Sequence, residues 1–318
     1  MKKLLIINNL HQKMNGMKSL KIALAFAFIG VTMAFMPSAN SYKLSALTSV
    51  FEPSTIPPQY STDFQTPMES SVCSEAVNVP FQSGEELVYK VYYNLNFVWI
   101  SAGEATFKVT DEGSRYHFSA TGVTYDSYEW FYKVRDYYDT YADKQTLLPQ
   151  TSIRHIKENR YSIYDKVDFD QKNRKATYSR GQVQERATLH GTLPLSDCMH
   201  DILSIIYYCR SLDYSAVQNG QDFPAKIMLD EETFSLKYRF MEREEKSIRG
   251  LGKFSTLRFS PQLVAGNVFK ENAQMKIWAS DDANKVPLMI ESPVAVGSVK
   301  IVLKSYKGLR YDLSSQKK

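Results

Sequence analysis

The sequence is poor in the residues from which most active sites are built. Its 318 residues include three cysteines (Cys73, Cys198 and Cys209) and five histidines. His11 falls in the leader. His117, His155, His190 and His200 stand singly, without the paired spacing of a zinc site, so no metal is expected. A nucleophilic cysteine needs a base within reach. His200 is close to Cys198 in sequence, but two residues on along a helix it faces elsewhere. No catalytic motif is present, and no cofactor is expected. His200 and Asp201 read as structural groups beside a helix cap.

An excess of charge is also lacking. The formal charge of +5 comes from Lys2, Lys3, Lys13, Lys18 and Lys21, which lie in residues 1–41 with no acid among them. Removing those five from 39 basic residues leaves 34 against 34 acidic ones, evenly interspersed. Such a surface has no electrostatic footprint for DNA or RNA. The apolar run Ile22–Met36, about 15 residues, is short for a membrane span and matches the core of a secretory signal peptide. Lys18 and Lys21 precede it, Pro37 ends it, and Ala39 and Ser41 offer small residues for cleavage before Tyr42. Residues 1–41 therefore read as a leader, with the true start at Met1, Met14 or Met17. No cysteine lies at the end of the run and Cys73 is far downstream, so lipid modification is not expected. The expected product is a soluble, monomeric, periplasmic protein with no membrane span in the mature chain.

Residues 42–80 are rich in Ser, Thr and Pro, include Ile56-Pro57-Pro58, and read as a flexible arm. Residues 81–313 read as a single β-rich domain, and 314–318 as a polar tail. Aromatics make up 13% of the chain and tyrosine alone 21 residues, which suits half-buried strands. In Glu86–Tyr93, Leu87, Tyr89, Val91 and Tyr93 alternate onto one face. Phe97–Thr110 follows, with Gly103 marking a bulge or a close backbone approach. Arg115–Thr124 completes a meander. Asp126–Lys133 reads as a short helical turn bearing Tyr128, Trp130, Phe131 and Tyr132. On Val134–Tyr141, Arg135, Tyr137, Asp139 and Tyr141 share one face and Val134, Asp136, Tyr138 and Thr140 the other.

Hairpins are predicted for Leu148–Glu158 with Tyr161–Asp170, and for Arg174–Arg180 with Gln182–His190. A helix is predicted over Asp197–Leu212, capped by Ser196 or Asp197, with Ile202, Ile205, Ile206 and Cys209 on its apolar stripe. Further strands are predicted at Pro224–Leu229, Thr233–Met241, Lys253–Ser260, Gln274–Ala279, Lys285–Ser292 and Gly297–Tyr306. Without βαβ alternation the sheet is antiparallel. The expected architecture is mainly β, a single curved sheet or half-open β-barrel with one packing helix.

Six stretches carry a resemblance. They are GEELVYKVYY (Gly84–Tyr93), AGEATFKV (Ala102–Val109), FYKVRDYYDTYADKQTLLP (Phe131–Pro149), HDILSIIYYCR (His200–Arg210), WASDDANKVPLMIES (Trp278–Ser292) and GSVKIVL (Gly297–Leu303). In that order they resemble the exported bacterial family known as domain of unknown function 3108 (DUF 3108). The resemblance implies a periplasmic β-rich protein and supplies neither an activity nor catalytic residues. By fold-level analogy the pattern Asp143…Leu148-Pro149 and the pair Trp278…Val286-Pro287 are also similar to the half-open barrels of outer-membrane lipoprotein carriers.

Three functions follow as expectations. The first is a non-catalytic binding protein for a cell-envelope amphiphile or glycan. Trp99, Trp130, Tyr132, Tyr137 and Trp278 would form an aromatic surface, and Arg135 with Asp136 would supply polar contacts. The second is an envelope glycan hydrolase using Asp136 with Asp139 or Glu104. The third is an envelope scaffold. On a helix, Cys198 and Cys209 would lie roughly 16 Å apart, too far to bridge. Cys209 reads as core, which leaves a Cys73–Cys198 disulfide in an oxidising compartment.

Overall fold

The computed structural model of the chain describes residues 79–95, 98–130, 132–261, 274–293 and 297–318. The predicted leader, most of the arm, Phe131 and Cys73 lie outside these residues. Within them, alternation of apolar and polar side chains dictates a sheet. Leu87, Tyr89, Val91 and Tyr93 all point into the core, as do Asp136, Tyr138 and Thr140 further on. A strand patterned this way can bury one face only.

Fourteen strands result: β1 (Glu86–Leu95), β2 (Val98–Asp111), β3 (Arg115–Thr124), β4 (Arg135–Asp143), β5 (Pro149–Glu158), β6 (Tyr161–Asp170), β7 (Lys175–Gly181), β8 (Leu189–Pro194), β9 (Asp222–Leu229), β10 (Glu232–Ile248), β11 (Gly252–Pro261), β12 (Lys276–Ser280), β13 (Pro287–Pro293) and β14 (Ser298–Lys307). A one-turn helix α1 (Asp126–Glu129) joins β3 to β4, and the longer α2 (Ile202–Ser211) joins β8 to β9. All fourteen strands form one sheet, in the order β8-β7-β6-β5-β4-β3-β2-β1-β14-β13-β12-β11-β10-β9. Every neighbouring pair is antiparallel. The chain meanders outward from β1 to one edge and crosses by α2 to the other. It then meanders back until β14 pairs with β1. The edge strands β8 and β9 do not pair with each other, so the sheet is not closed.

Bulges bend the sheet. One falls where Val91 and Tyr92 oppose Ser101 to Gly103. A Cβ on Gly103 would sit 2.2 Å from the carbonyl oxygen of Val123, so the close approach expected there is real. The buried face is covered by α2. Tyr207 stacks on Phe118 with centroids 3.9 Å apart, and Phe81 meets both edge-on. Burying each such ring stabilises the fold by about 1.5–3 kcal/mol. Arg210 lies on the same buried face and donates two bonds to Glu85, at 2.6 and 2.9 Å, and a third to the carbonyl of Asn284.

Several expectations need correction. The helix begins five residues later than predicted, at Ile202, because His200 is drawn into an extended bridge with β9. His200 N donates to Lys226 O, and Met228 N donates to His200 O. Cys198 adopts a positive φ of 57° and lies outside the helix, so the two-cysteines-on-one-helix argument does not apply. Asp201, not Ser196 or Asp197, is the cap. Its carboxylate accepts from Ser204 N while Ser204 Oγ accepts from Asp201 N, a reciprocal capping box.

On the helix Ile202 is buried as expected, Leu203, Tyr207 and Arg210 are buried as well, and Ile205, Ile206 and Cys209 are half-buried. The partner of β7 comes later than predicted. Residues 184–186 form a 3₁₀ turn, and pairing resumes at Leu189. The terminal residues are held along β11: Ser255 N donates to Ser315 O, and Lys317 N to Lys253 O. Among the described residues no helix is long and apolar enough to cross a membrane.

Candidate functional site

Because neighbouring strands alternate in direction, the β1–β2, β3–β4 and β5–β6 connections emerge at one end of the sheet. Exposed large apolar side chains gather beside the first two. Val98, Trp99 and Ile100 project where β2 begins, and Trp99 is 41% exposed. Trp130, just after α1, is 85% exposed. The ammonium of Lys300 lies 4.5 Å from the Trp99 ring centroid, a cation–π contact.

The Trp130 loop is short and tightly tied. Tyr128 N donates to Tyr125 O and turns the Tyr128 ring inward, which leaves Trp130 to face out. Val134 N donates to Thr124 Oγ1 at 3.0 Å. Lys133 N donates to Asn159 Oδ1, and Asn159 N to Lys133 O, both at 2.9 Å. Asn159 has a φ of 50°, in the left-handed region that asparagine tolerates better than most residues.

Beneath this loop lies a buried acid pair that the sequence reading did not find. Tyr132 donates its hydroxyl to Glu158 Oε2 at 2.6 Å. Asp136 Oδ1 accepts from Lys157 N at 3.0 Å. The remaining oxygens, Asp136 Oδ2 and Glu158 Oε1, are buried without a hydrogen-bond partner. Asp136 is 1% exposed and Glu158 4%. Burial pushes Glu158 up to about 7. Burial, and then the charge of Glu158, holds Asp136 well above the usual carboxylate range. Two desolvated carboxyls on neighbouring strands retain a proton rather than both ionise. The signal for Glu158 was present: on β5 it shares a face with Ile156 and Arg154, both buried.

The predicted site residues are not all brought together. Tyr132 and Asp136 meet around Glu158. Trp99, at the start of β2, and Trp130, just after α1, lie at the same end of the sheet. Arg135 is occupied: its guanidinium binds Glu129 and donates to the carbonyls of Val134 and Thr124. Tyr137 lies on the outer face of β4 and is exposed. Trp278 is buried, donates to Glu244 Oε1 at 2.5 Å, and has the Lys246 ammonium 3.8 Å from its ring centroid.

The carboxylate pairs proposed for a hydrolase are not formed. Asp139 faces outward and bonds His117 at 2.8 Å. Glu104 binds Tyr125 and Lys304. Asp136 faces the core, on the opposite side of β4 from Asp139. His200, Ser204 and Asp201 form a second polar group. His200 Nδ1 lies 3.0 Å from Ser204 Oγ, and Thr140 donates to Asp201. All four are sealed in the core, and burial lowers His200 to about 3, which keeps it neutral. The group caps α2.

Near the open seam, Arg154 binds Asp165 and Asp230, and Arg180 binds Asp165, Asp230 and Glu231. These residues join β5, β6 and β7 to the β9–β10 turn. The cleft beside them leaves about 20 Å³, room for roughly one water. Among the described residues no cluster of three or more His, Cys, Asp or Glu side chains is arranged to hold a metal. Cys209 is free, packs in a second core cluster, and is pushed up to about 11 by burial.

A family model described as "Protein of unknown function (DUF3108)" matches residues 88–304, more than half of the chain. No curated protein matches. Among solved structures, a beta-barrel-like protein of domain of unknown function DUF1849 from Brucella abortus is 8% identical. That alignment covers 72% of this chain and 98% of the other, with a TM-score of 0.49. A "putative lipoprotein" from Parabacteroides distasonis is 12% identical over 74% of this chain and 99% of that one, with a TM-score of 0.29.

Proposed function

The chain belongs to the DUF3108 family of proteins of unknown function, and from the geometry of its loop end we propose that it is an exported, periplasmic, non-catalytic binding protein for a cell-envelope amphiphile or glycan. The observation that carries this reading is the pair Trp99, at the start of β2, and Trp130, just after α1, both exposed at one end of the sheet. Exposed tryptophan is costly to keep in water, and flat aromatic faces suit acyl chains and sugar rings alike. The ligand is held at this rim. The buried face beneath α2 is filled by Phe81, Phe118 and Tyr207, and the cleft near the seam is too small for more than a water. Export is supported by the leader read in residues 1–41.

A catalytic role has less support, because Asp136 and Glu158 are sealed from any substrate. Native mass spectrometry of protein recovered gently from the periplasm tests the proposal. The expected result is a retained lipid or glycan mass that disappears in the Trp99→Ala/Trp130→Ala double variant. A mass retained equally by that variant would move the site elsewhere.

A further inference from the structure

We propose that this same loop end docks onto an anionic lipid bilayer, with Trp99 and Trp130 seated at headgroup level. The inference rests on the rim being the binding surface and names its partner class. Apolar exposure alone would not choose between partners, but charge does. Lys133 and Arg135 share a single carboxylate, Glu129. On the adjacent β5–β6 hairpin, Lys157 and Arg160 are exposed and have no acidic partner among the described residues. Lys300, over the Trp99 ring, is paired with Glu291.

One step down the outer wall, Lys304 binds Glu104 while Lys90 also acts on that carboxylate. The one exposed acid of α1 without a basic partner is Asp126. Cations therefore outnumber acids around the two tryptophans, although the mature chain as a whole is balanced. Aromatic tips ringed by lysine and arginine are the chemistry of an anionic membrane interface: indole settles at the headgroups, and each cation adds attraction. A neutral glycan would gain nothing from the cations. An acidic protein partner would not require two exposed tryptophans at the same end of the sheet.

Co-sedimentation of the mature protein tests this. The probes are vesicles of phosphatidylcholine alone and of equal parts phosphatidylcholine and phosphatidylglycerol. Binding is expected to the mixed vesicles and to weaken with added salt. Lys157→Ala/Arg160→Ala should lower it about 25-fold, at roughly fivefold per cation. Trp99→Ala/Trp130→Ala should lower it about tenfold or more. All four residues are exposed, and unchanged thermal midpoints would show that the variants fold. Absence of binding to the mixed vesicles, equal binding to both vesicle types, or binding unaltered by both double variants overturns the inference. If vesicles fail while native mass spectrometry still finds a rim-dependent ligand mass, the docking idea falls and the binding function stands. If both fail, the rim reading itself is lost.

Discussion

The hydroxyl of Tyr132 donates to the carboxylate of Glu158 at 2.6 Å, and this bond ties the loop that presents Trp130 to the end of β5. The acid in that bond sets a pH dependence. An ordinary glutamate in the unfolded chain loses its proton near 4.5, whereas Glu158 in the folded protein keeps it up to about 7. Between those values the folded state binds more protons, so stability falls as pH rises through the window. The contribution is fully present below 4.5. Its size is on the order of 3 kcal/mol. Glu158→Gln should flatten that slope in urea unfolding measured across the window. An unchanged slope would place its origin elsewhere.

Arg210 and Glu85 make a fully buried two-bond pair whose members lie 125 residues apart in sequence. Removing one partner strands a charge in the core. Arg210→Ala should therefore cost about 3–5 kcal/mol in global unfolding, and Arg210→Met combined with Glu85→Leu should cost much less. A single variant no less stable than the double would contradict this.

The seam network makes a graded prediction. Arg154 is buried between Asp165 and Asp230. Arg154→Ala leaves three acids to Arg180 alone, so it should destabilise more than Asp230→Ala, which leaves both arginines paired with Asp165. Hydrogen exchange should quicken first in β9 and the start of α2, where the seam is held. Equal effects of the two substitutions would show that the network does not act as a unit.

The Cys73–Cys198 disulfide remains a proposal, because Cys73 lies outside the described residues. Peptide mapping under non-reducing conditions should recover Cys73 and Cys198 in one cross-linked fragment and Cys209 as a free thiol. Cys209 sits in an apolar cluster where burial disfavours its reactive thiolate.

Much of the fold was legible because it is local. Alternation in Glu86–Tyr93 and Val134–Tyr141 sorted the side chains onto two faces, of which the structure buries one, and Gly103 marked a bulge or close approach that is made to Val123. The start of α2 was not legible. Asp197-Cys198-Met199-His200 reads as the first turn of a helix, but His200 is pulled into a bridge with β9, a partner that appears only when the chain returns. The acid pair was hidden for a related reason. Asp136 could be placed on the face of β4 opposite Asp139, but its neighbour depends on which strand pairs with β4 and in what register. The strand pairing brings Glu158 opposite Val134, and Asp139 and Glu104 turn to the outside. The aromatic rim was half legible: Trp99 and Trp130 were recognised as candidates, but sequence could not separate them from the buried Trp278.

The central claim is that Trp99 and Trp130 form the binding surface, and tryptophan emission tests it most directly. The protein has three tryptophans, and Trp278 is buried, so it serves as a fixed reference. The measurement is emission from the wild-type and Trp99→Phe proteins on titration with vesicles of equal parts phosphatidylcholine and phosphatidylglycerol and, separately, with a soluble glycan fraction of the cell envelope. The account predicts a shift to shorter wavelength with one of the two probes, retained in Trp99→Phe and lost when Trp130→Phe is added. A probe that binds, by co-sedimentation or native mass spectrometry, without moving the emission would contradict it.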